Sequence, residues 1–188
     1  MTARAFLVGV LVLALAGCAT PPARVDIART EAPDKAYTLD LPIGWIRSTT
    51  VEKELLASRD GYGLNAIIVS HRKLDRAFPR TKKAATTDLI PFELAELEIA
   101  EARAQGAQLT ALNVIENEPA ALSGKDAFRV KVSYRNELGL EIYHIIYGLA
   151  DVSGYYTLEY RAPRLHYFDK YYGEFEKTAA SFELVPVK

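Results

Sequence analysis

The chain has 188 residues, of which 49% are hydrophobic and 25% are charged, and its formal net charge is −1 at pH 7. That length and composition are typical of one globular domain, and the near-neutral charge argues against a dedicated nucleic-acid binder. The sequence holds a single cysteine, so a disulfide within the chain is excluded.

The first residues have the layout of an export signal, with Arg4 ahead of an apolar run over residues 6–16. This run is too short for an ordinary membrane-spanning helix, which needs about 20 residues. It leads into the sequence LAGC at residues 15–18, which resembles the lipobox of bacterial lipoproteins. The alternative is a stray thiol behind an ordinary signal peptide, but a lone cysteine has no disulfide partner in an oxidising compartment.

The lipobox resemblance implies cleavage after Gly17, so that residues 1–17 are the signal peptide. It also implies that Cys18 receives a diacylglyceryl group and a further acyl chain such as palmitate, which together give stable anchoring. Ala19 follows the cysteine, where lipoproteins retained in the inner membrane of Gram-negative bacteria tend to have Asp. We therefore expect a lipid anchor in the outer membrane, with the protein facing the periplasm.

Residues 18–34 are interpreted as the lipidated cysteine and a flexible tether, because residues 19–34 lack a steady hydrophobic period and contain three prolines. The folded domain is then expected at residues 35–188.

The first half of the domain gives three structural signals. Residues 37–45, with the sequence YTLDLPIGW, alternate as a short strand that ends at a proline, and Trp45 is expected at the edge of the core. Residues 62–70 are a second strand candidate. Asp88 is expected to cap a helix from residue 89 to about residue 105, with a proline in its first turn.

The second half predicts an antiparallel meander. Apolar and polar side chains alternate over residues 128–135, and strands over residues 140–149 and 155–161 follow the turns NELG and DVSG.

Pairing the meander strands around these turns puts Val132 opposite Tyr143 and Ile145 opposite Tyr160, so that one face is aliphatic and aromatic. The other face is too apolar for open water, and we expect a helix or loop to cover part of it. Its predicted members are Arg129, Lys131, Ile142, His144, Ile146 and Glu159.

A last helix is predicted to open at Pro163, because apolar residues recur at steps of three and four positions after it. The stripe consists of Leu165, Phe168, Tyr172, Phe175, Ala179 and Phe182. The order of strands, helix, meander and helix indicates an α+β fold in which helices pack on an antiparallel sheet.

The motif LDLPIGW at residues 39–45 and the terminal YYGEFEKTAASFEL at residues 171–184, together with this element order, resemble the PsbP/DcrB-like superfamily. The resemblance covers about residues 35–187. It implies a three-layer α/β/α sandwich and a binding or assembly role, since the superfamily includes photosystem accessory proteins, a nuclear-transport accessory factor and bacterial lipoproteins. It brings no catalytic residues with it.

A basic stretch at residues 71–83 carries six Lys or Arg residues and one Asp. It is either a solvated connection between strand and helix or a contact surface for anionic head groups or an acidic partner. The candidate contact residues are Arg72, Lys73, Arg76, Arg80, Lys82 and Lys83. Tyr167 and Tyr171, predicted to lie off the apolar stripe of the last helix, are a second candidate contact site.

Acidic residues of the central helix are interpreted as a solvated helix face, not as a metal site. They are Glu93, Glu96, Glu98 and Glu101. The histidines show no metal-ligand spacing, and no serine lies in a GxSxG motif. We therefore expect no catalytic residues, no metal and no cofactor.

The sequence favours a non-enzymatic outer-membrane lipoprotein that binds or helps to assemble another envelope component. Its partners would be the membrane, through the lipidated cysteine, and an envelope protein or anionic surface. A carrier that holds a small molecule or lipid in a cleft between sheet and helix is the alternative, and a hydrolase is a distant third.

Replacing the single thiol tests the anchor. We expect Cys18→Ser to release the protein from the outer membrane, because serine cannot form the thioether that holds the lipid. Membrane fractionation of cells follows the release, and mass spectrometry of the wild-type protein shows whether acyl mass is present. A Cys18→Ser variant that still co-fractionates with the outer membrane contradicts the anchor.

Overall fold

The computed structural model describes residues 22–50, 54–106 and 109–186. The predicted signal peptide, with Gly17 and Cys18, lies outside these residues. Within them two α-helices, α1 (Pro91–Arg103) and α2 (Phe168–Ala180), accompany eleven strands. The strands are β1 (Ala23–Arg24), β2 (Arg29–Glu31), β3 (Tyr37–Asp40), β4 (Ile46–Thr49), β5 (Leu55–Ser58), β6 (Ala66–Arg72), β7 (Thr110–Leu122), β8 (Lys125–Arg135), β9 (Glu141–Asp151), β10 (Gly154–Pro163) and β11 (Glu183–Leu184). No helix among the described residues is long and apolar enough to cross a membrane.

Eight strands form one antiparallel sheet in the order β1-β4-β5-β6-β10-β9-β8-β7. A smaller antiparallel sheet has the order β11-β3-β2. The central strands β6, β10 and β9 are mostly buried along their length, as expected for strands covered on both faces.

The two faces of the large sheet carry separate cores. On one face Phe168 and Phe175 of α2 pack against strand residues that include Tyr160. On the other face Leu94 and Ile99 of α1 pack against a second set of strand residues. Helices therefore cover both sides of an antiparallel sheet, and the predicted three-layer α+β sandwich is confirmed.

The predicted pairing of the meander is correct for one turn and wrong for the other. Ile145 lies opposite Tyr160, but Val132 lies opposite His144 and not Tyr143. A shift of one residue moves a whole strand's side chains to the opposite face. Val130 and Val132 therefore face α1.

The same shift places the basic residues of β8 on the α2 side. Arg129 donates to the hydroxyl of Tyr172 at 3.3 Å, and Lys131 lies over the ring of Phe168. The face with Ile142 and Ile146 is covered by α1, so the expectation that a helix covers it is confirmed.

Three strands carry too little apolar alternation for the sequence to predict them. β4 and β5 are only four residues long, and β7 is a half-exposed edge strand with irregular register. The predicted strand at residues 62–70 begins later, at Ala66, because a turn closes first through the Leu64 N–H and the Gly61 carbonyl.

The predicted tether is wrong for residues 23–32, which belong to the folded domain. β1 pairs with β4, and β2 pairs with β3. Val25 is 2% exposed and Ala32 is 3% exposed. Prolines and an irregular pattern did not prevent folding here, because single apolar residues enter the main core while their neighbours stay exposed.

Both helices begin later than predicted. α1 starts at Pro91, and the Ile90 N–H donates to the Glu93 carboxylate at 3.1 Å, so Asp88 is not the cap. Pro163 ends β10 and does not open a helix. His166 has a φ of 73°, a left-handed conformation that is incompatible with a helix starting before it. Leu165, predicted in the buried stripe, is consequently 80% exposed.

Phe175 provides a test of the α2 core. Its side chain is fully buried and stacks on Tyr160 with ring centroids 5.3 Å apart. We expect Phe175→Ala to lower the free energy of unfolding by about 3–5 kcal/mol, because it leaves a cavity in a packed core. Leu165→Ala is the matched control and should leave stability nearly unchanged. Equal effects of the two changes in denaturant unfolding would contradict the packing.

Candidate functional site

A cavity of about 340 Å³ lies between α1 and the sheet face that α1 covers. Apolar side chains form part of its wall, but charged and polar side chains from several elements converge on it. The main ones are Glu54, Arg72, Glu98, His144, Glu159 and Arg161. Such a group is unusual at a sheet–helix interface, where buried charges are costly unless they are paired.

α1 supplies Glu98 to the cavity. Leu94 and Glu98 are four positions apart, so both project from the inner face of the helix, and Glu98 is 7% exposed. The Tyr155 hydroxyl donates to its carboxylate at 2.8 Å. Burial, followed by the negative charge of nearby Glu159, raises the pKa of Glu98 to about 7. Glu98 therefore exchanges its proton close to neutral pH.

The sheet supplies a carboxylate of opposite character. Burial opposes ionisation of Glu159, but it is outweighed by the hydrogen bond with His144 at 3.0 Å together with the hydrogen bond from Thr157 and the nearby charges of His144 and Arg72, and the pKa of Glu159 is lowered. The Thr157 hydroxyl donates to the same carboxylate at 2.8 Å. One cavity thus holds a carboxylate that stays ionised and another that protonates readily.

A third group joins the cavity at the end of β6. Arg72 donates to Glu54 at 3.4 Å and to the carbonyl of Ala77 at 3.3 Å. The Ser70 hydroxyl donates to the same oxygen of Glu54 at 2.9 Å. Because these contacts hold the Arg72 guanidinium next to the cavity, it balances part of the acidic charge.

Among the described residues, the cavity wall holds no serine paired with a histidine. His144 is hydrogen-bonded to Glu159. Ser70, the one serine among the described residues of the cavity wall, donates a hydrogen bond to Glu54 and not to a histidine. A nucleophilic serine needs a general base within hydrogen-bonding distance, which is usually a histidine. Within the described ranges, no group of three or more His, Cys, Asp or Glu side chains could hold a metal ion.

Beside the cavity lies the basic loop, defined here as residues 73–83. The carboxylate of Glu101, which is only 2% exposed, accepts hydrogen bonds from the backbone N–H of Arg80 at 2.7 Å and of Thr81 at 2.8 Å. It also accepts one from the Thr81 hydroxyl at 2.9 Å. Three donors to one buried carboxylate fix the loop against α1.

Apolar packing fixes the same loop from below. Phe78 is fully buried and lies against Tyr155 with ring centroids 4.9 Å apart. Its backbone exchanges two hydrogen bonds with Lys83, each 3.2 Å long. The basic loop is therefore a structured turn with its own buried anchor.

Five of the six predicted contact residues lie exposed on this loop: Lys73, Arg76, Arg80, Lys82 and Lys83. Arg72 does not belong with them, because its guanidinium turns inward to Glu54. The side chain of Arg80 is 46% exposed and lies 3.6 Å from Glu101. Within the described residues, the other four form no ion pair.

The predicted tyrosine contact site is wrong. Tyr171 is 8% exposed, its hydroxyl donates to Asp60 at 2.8 Å, and its ring packs edge-on against Trp45. Tyr167 is half-buried against the same core. Tyr171 lies three positions after Phe168 and four before Phe175, so it belongs to the same buried face of α2.

The interpretation of the acidic helix face was correct for Glu93 and Glu96, which are exposed. It was wrong for Glu98 and Glu101, which are buried and bonded to Tyr155 and the basic loop. The sequence indicated the burial of Glu98 and Glu101 only through their positions beside Ile99 and Ala102 on the apolar side of the helix. Glu54 and Glu159 reach the cavity through strand pairing, so the sequence around them gave no indication of their roles.

No protein-family model matches the chain, and no curated protein matches its sequence. Solved structures do share its fold. One, from Bacteroides thetaiotaomicron, superposes with a TM-score of 0.54 at 12% identity over 86% of this chain, which spans about half (49%) of that protein. The Ran-binding protein Mog1p of Saccharomyces cerevisiae has a TM-score of 0.52 at 11% identity, over 84% of this chain and 94% of its own. Cyanobacterial PsbP from Synechocystis has a TM-score of 0.50 at 14% identity, over 86% of this chain and 95% of its own. The chain therefore has the PsbP-like and Mog1-like α+β fold.

Titration of Glu98 tests the electrostatics of the cavity. A carboxyl whose pKa is higher in the folded than in the unfolded state stabilises the fold below its unfolded pKa, and that stability is lost as pH rises through the folded pKa. We expect the free energy of unfolding to fall by roughly 2–3 kcal/mol between about pH 4.5 and 7 on account of this residue. Glu98→Gln should remove this fall. Exposed Glu96 gives the control variant Glu96→Gln, and identical pH profiles for the two variants would contradict the assignment.

Proposed function

We propose that the protein is a non-enzymatic binding lipoprotein, anchored in the outer membrane through Cys18 and facing the periplasm. It contacts, through the basic loop, an envelope component whose surface is anionic, and it acts as a binding or assembly accessory. The observation that carries the binding role is the rigid attachment of this loop. Glu101 and Phe78 hold its backbone, while Lys73, Arg76, Arg80, Lys82 and Lys83 stay exposed.

Rigid attachment distinguishes this loop from a solvated connector. A contact surface that is ordered before binding loses little conformational entropy when the partner arrives. A connector needs neither a buried carboxylate with three donors nor a buried phenylalanine. Concentrated positive charge in a chain of net charge −1 also steers an acidic partner to this loop.

The fold is compatible with a binding role. The same architecture occurs in Mog1p, which is a Ran-binding protein. At 11% identity this likeness carries the fold and not the partner. The anchor rests on the lipobox resemblance of residues 15–18, which directs the binding surface to the periplasm.

A small-molecule carrier is the second candidate, favoured by the cavity under α1. Its walls carry both charges, with Arg72 and Arg161 facing Glu54, Glu98 and Glu159, which suits a small polar or zwitterionic ligand. Binding in such a charge-balanced cavity depends weakly on salt, whereas contact through the exposed basic loop weakens as salt screens it. Salt dependence therefore separates the two functions.

Charge reversal on the basic loop tests the leading function. The variant changes four exposed side chains and spares Arg80, which pairs with Glu101: Lys73→Glu, Arg76→Glu, Lys82→Glu and Lys83→Glu. The control makes the same change of net charge at exposed sites elsewhere: Lys35→Glu, Arg103→Glu, Arg135→Glu and Lys177→Glu. We expect the loop variant alone to lose envelope partners in crosslinking and pull-down experiments, and wild-type capture to fall at high salt.

Capture that both variants retain equally, or that salt does not affect, contradicts the basic-loop function. Circular dichroism of each variant confirms that the fold survives, so that a loss of capture reports on the surface.

A further inference from the structure

One corner of the large sheet exposes apolar side chains next to the predicted anchor. We name it the β1 corner and define it by Ile27, Ile43, Ile46, Arg24, Arg59 and Asp26. Ile27 is 78% exposed, Ile43 is 57% exposed and Ile46 is 39% exposed. Isolated exposed aliphatic residues are ordinary, but a cluster at one place indicates a contact surface.

Backbone hydrogen bonds bring these residues together. The Gly44 N–H donates to the carbonyl of Val25 at 2.8 Å, and the Leu41 N–H donates to the carbonyl of Ala28 at 2.9 Å. The turn that carries Ile27 is therefore held beside the turn that carries Ile43. Ile46 extends the cluster, because it pairs directly with Arg24 across β1 and β4.

Cations surround the apolar residues of the β1 corner. Arg59 donates to the Gly44 carbonyl at 2.5 Å, which places its guanidinium beside Ile43. Arg24 is 67% exposed and lies 3.6 Å from Asp26, the acidic member of this surface. Arginine binds phosphate groups through several donors at once, and isoleucine side chains insert at the boundary of head groups and acyl chains.

The length of chain between anchor and domain selects the lipid surface as the occupant. Cys18 precedes Ala23, the first residue of β1, by five positions. At 3.3–3.6 Å per residue, the lipidated cysteine lies at most about 18 Å from this strand. The opposite edge strand β7 lies seven strand spacings away, roughly 34 Å at about 4.8 Å each. The edge with β1 must therefore stay close to the bilayer.

We propose that the β1 corner docks on the bilayer that holds the lipid of Cys18, with its isoleucines at the acyl boundary and its arginines on phospholipid phosphates. The lipid then anchors the chain while the corner fixes the orientation of the domain. This inference rests on the lipid anchor of the proposed function.

Site-specific quenching tests the docking. The lipidated mature protein is reconstituted into vesicles of phosphatidylethanolamine and phosphatidylglycerol that contain a nitroxide head-group lipid. A fluorophore is attached through Asp26→Cys in the β1 corner or through Asp126→Cys near the opposite edge, both at exposed aspartates. We expect quenching several-fold stronger at residue 26 than at residue 126. Ile27→Asp with Ile43→Asp should lower the quenching at residue 26 several-fold while the protein still floats with the vesicles, and only the smaller difference that the short tether produces should remain.

The anchor and the docking fail in distinguishable ways. A lipidated Cys18 is a thioether and takes no label, so labelling of the otherwise wild-type protein shows that the anchor has failed. If the wild-type protein takes no label, the anchor is intact, and equal quenching at residues 26 and 126 then overturns the docking alone. Quenching at residue 26 that Ile27→Asp with Ile43→Asp does not reduce also overturns the docking. Disulfide-linked dimers of Asp26→Cys in place of quenching assign the corner to a second copy and also overturn it.

Discussion

The buried carboxylate of Glu101 is the interaction on which the α1 side of the protein depends. A buried carboxylate is strongly unfavourable without hydrogen-bond donors, and the basic loop supplies three of them. Satisfying Glu101 requires the loop to lie against α1. The same position seats Phe78 in the core under Tyr155, and Tyr155 donates to Glu98. One carboxylate therefore couples the surface loop to the wall of the cavity.

The difference between Glu98 and Glu159 follows from their hydrogen-bond partners. Both carboxyl groups are buried, but they have different partners. Glu159 has His144 and the Thr157 hydroxyl, whereas Glu98 has the neutral Tyr155 hydroxyl and lies near the charge of Glu159. Two close carboxylates with unequal partners divide the proton unequally. The charge of the cavity therefore changes by about one unit near neutral pH, and the electrostatic environment of the adjoining basic loop changes with it.

The sequence predicted those parts of the fold that depend on local pattern. β3, the central strands and the buried aromatic residues of α2 follow from alternation and helical periodicity, as Phe168 and Phe175 show. Features that depend on strand register could not be predicted from the sequence. Nothing near Val132 distinguishes His144 from Tyr143 as its partner, and the left-handed residue His166 shifts the start of α2 without a glycine to indicate it.

The candidate site was predictable only where charge is visible in the sequence. The cations of the basic loop stand out by composition, but their rigid attachment depends on Glu101, about 20 positions later in the chain. Glutamate is usually exposed, so its type alone indicated a solvated face. Burial of Glu98 and Glu101 becomes apparent only when the inner face of α1 is known, and Glu54 joins the cavity through the pairing of β5 with β6.

The two proposed contact surfaces lie level with opposite ends of β6, and this separates them electrostatically. Register across the sheet places Ile46 of the β1 corner level with Ser58, beside the Ala66 end of β6. The basic loop follows the other end, at Arg72. Seven residues of extended strand separate these ends by about 20 Å. A domain docked through the β1 corner consequently holds its basic loop about two Debye lengths from that corner at physiological salt. Electrostatic interactions at the basic loop are therefore largely screened from those at the β1 corner, so that the two surfaces contact their partners independently.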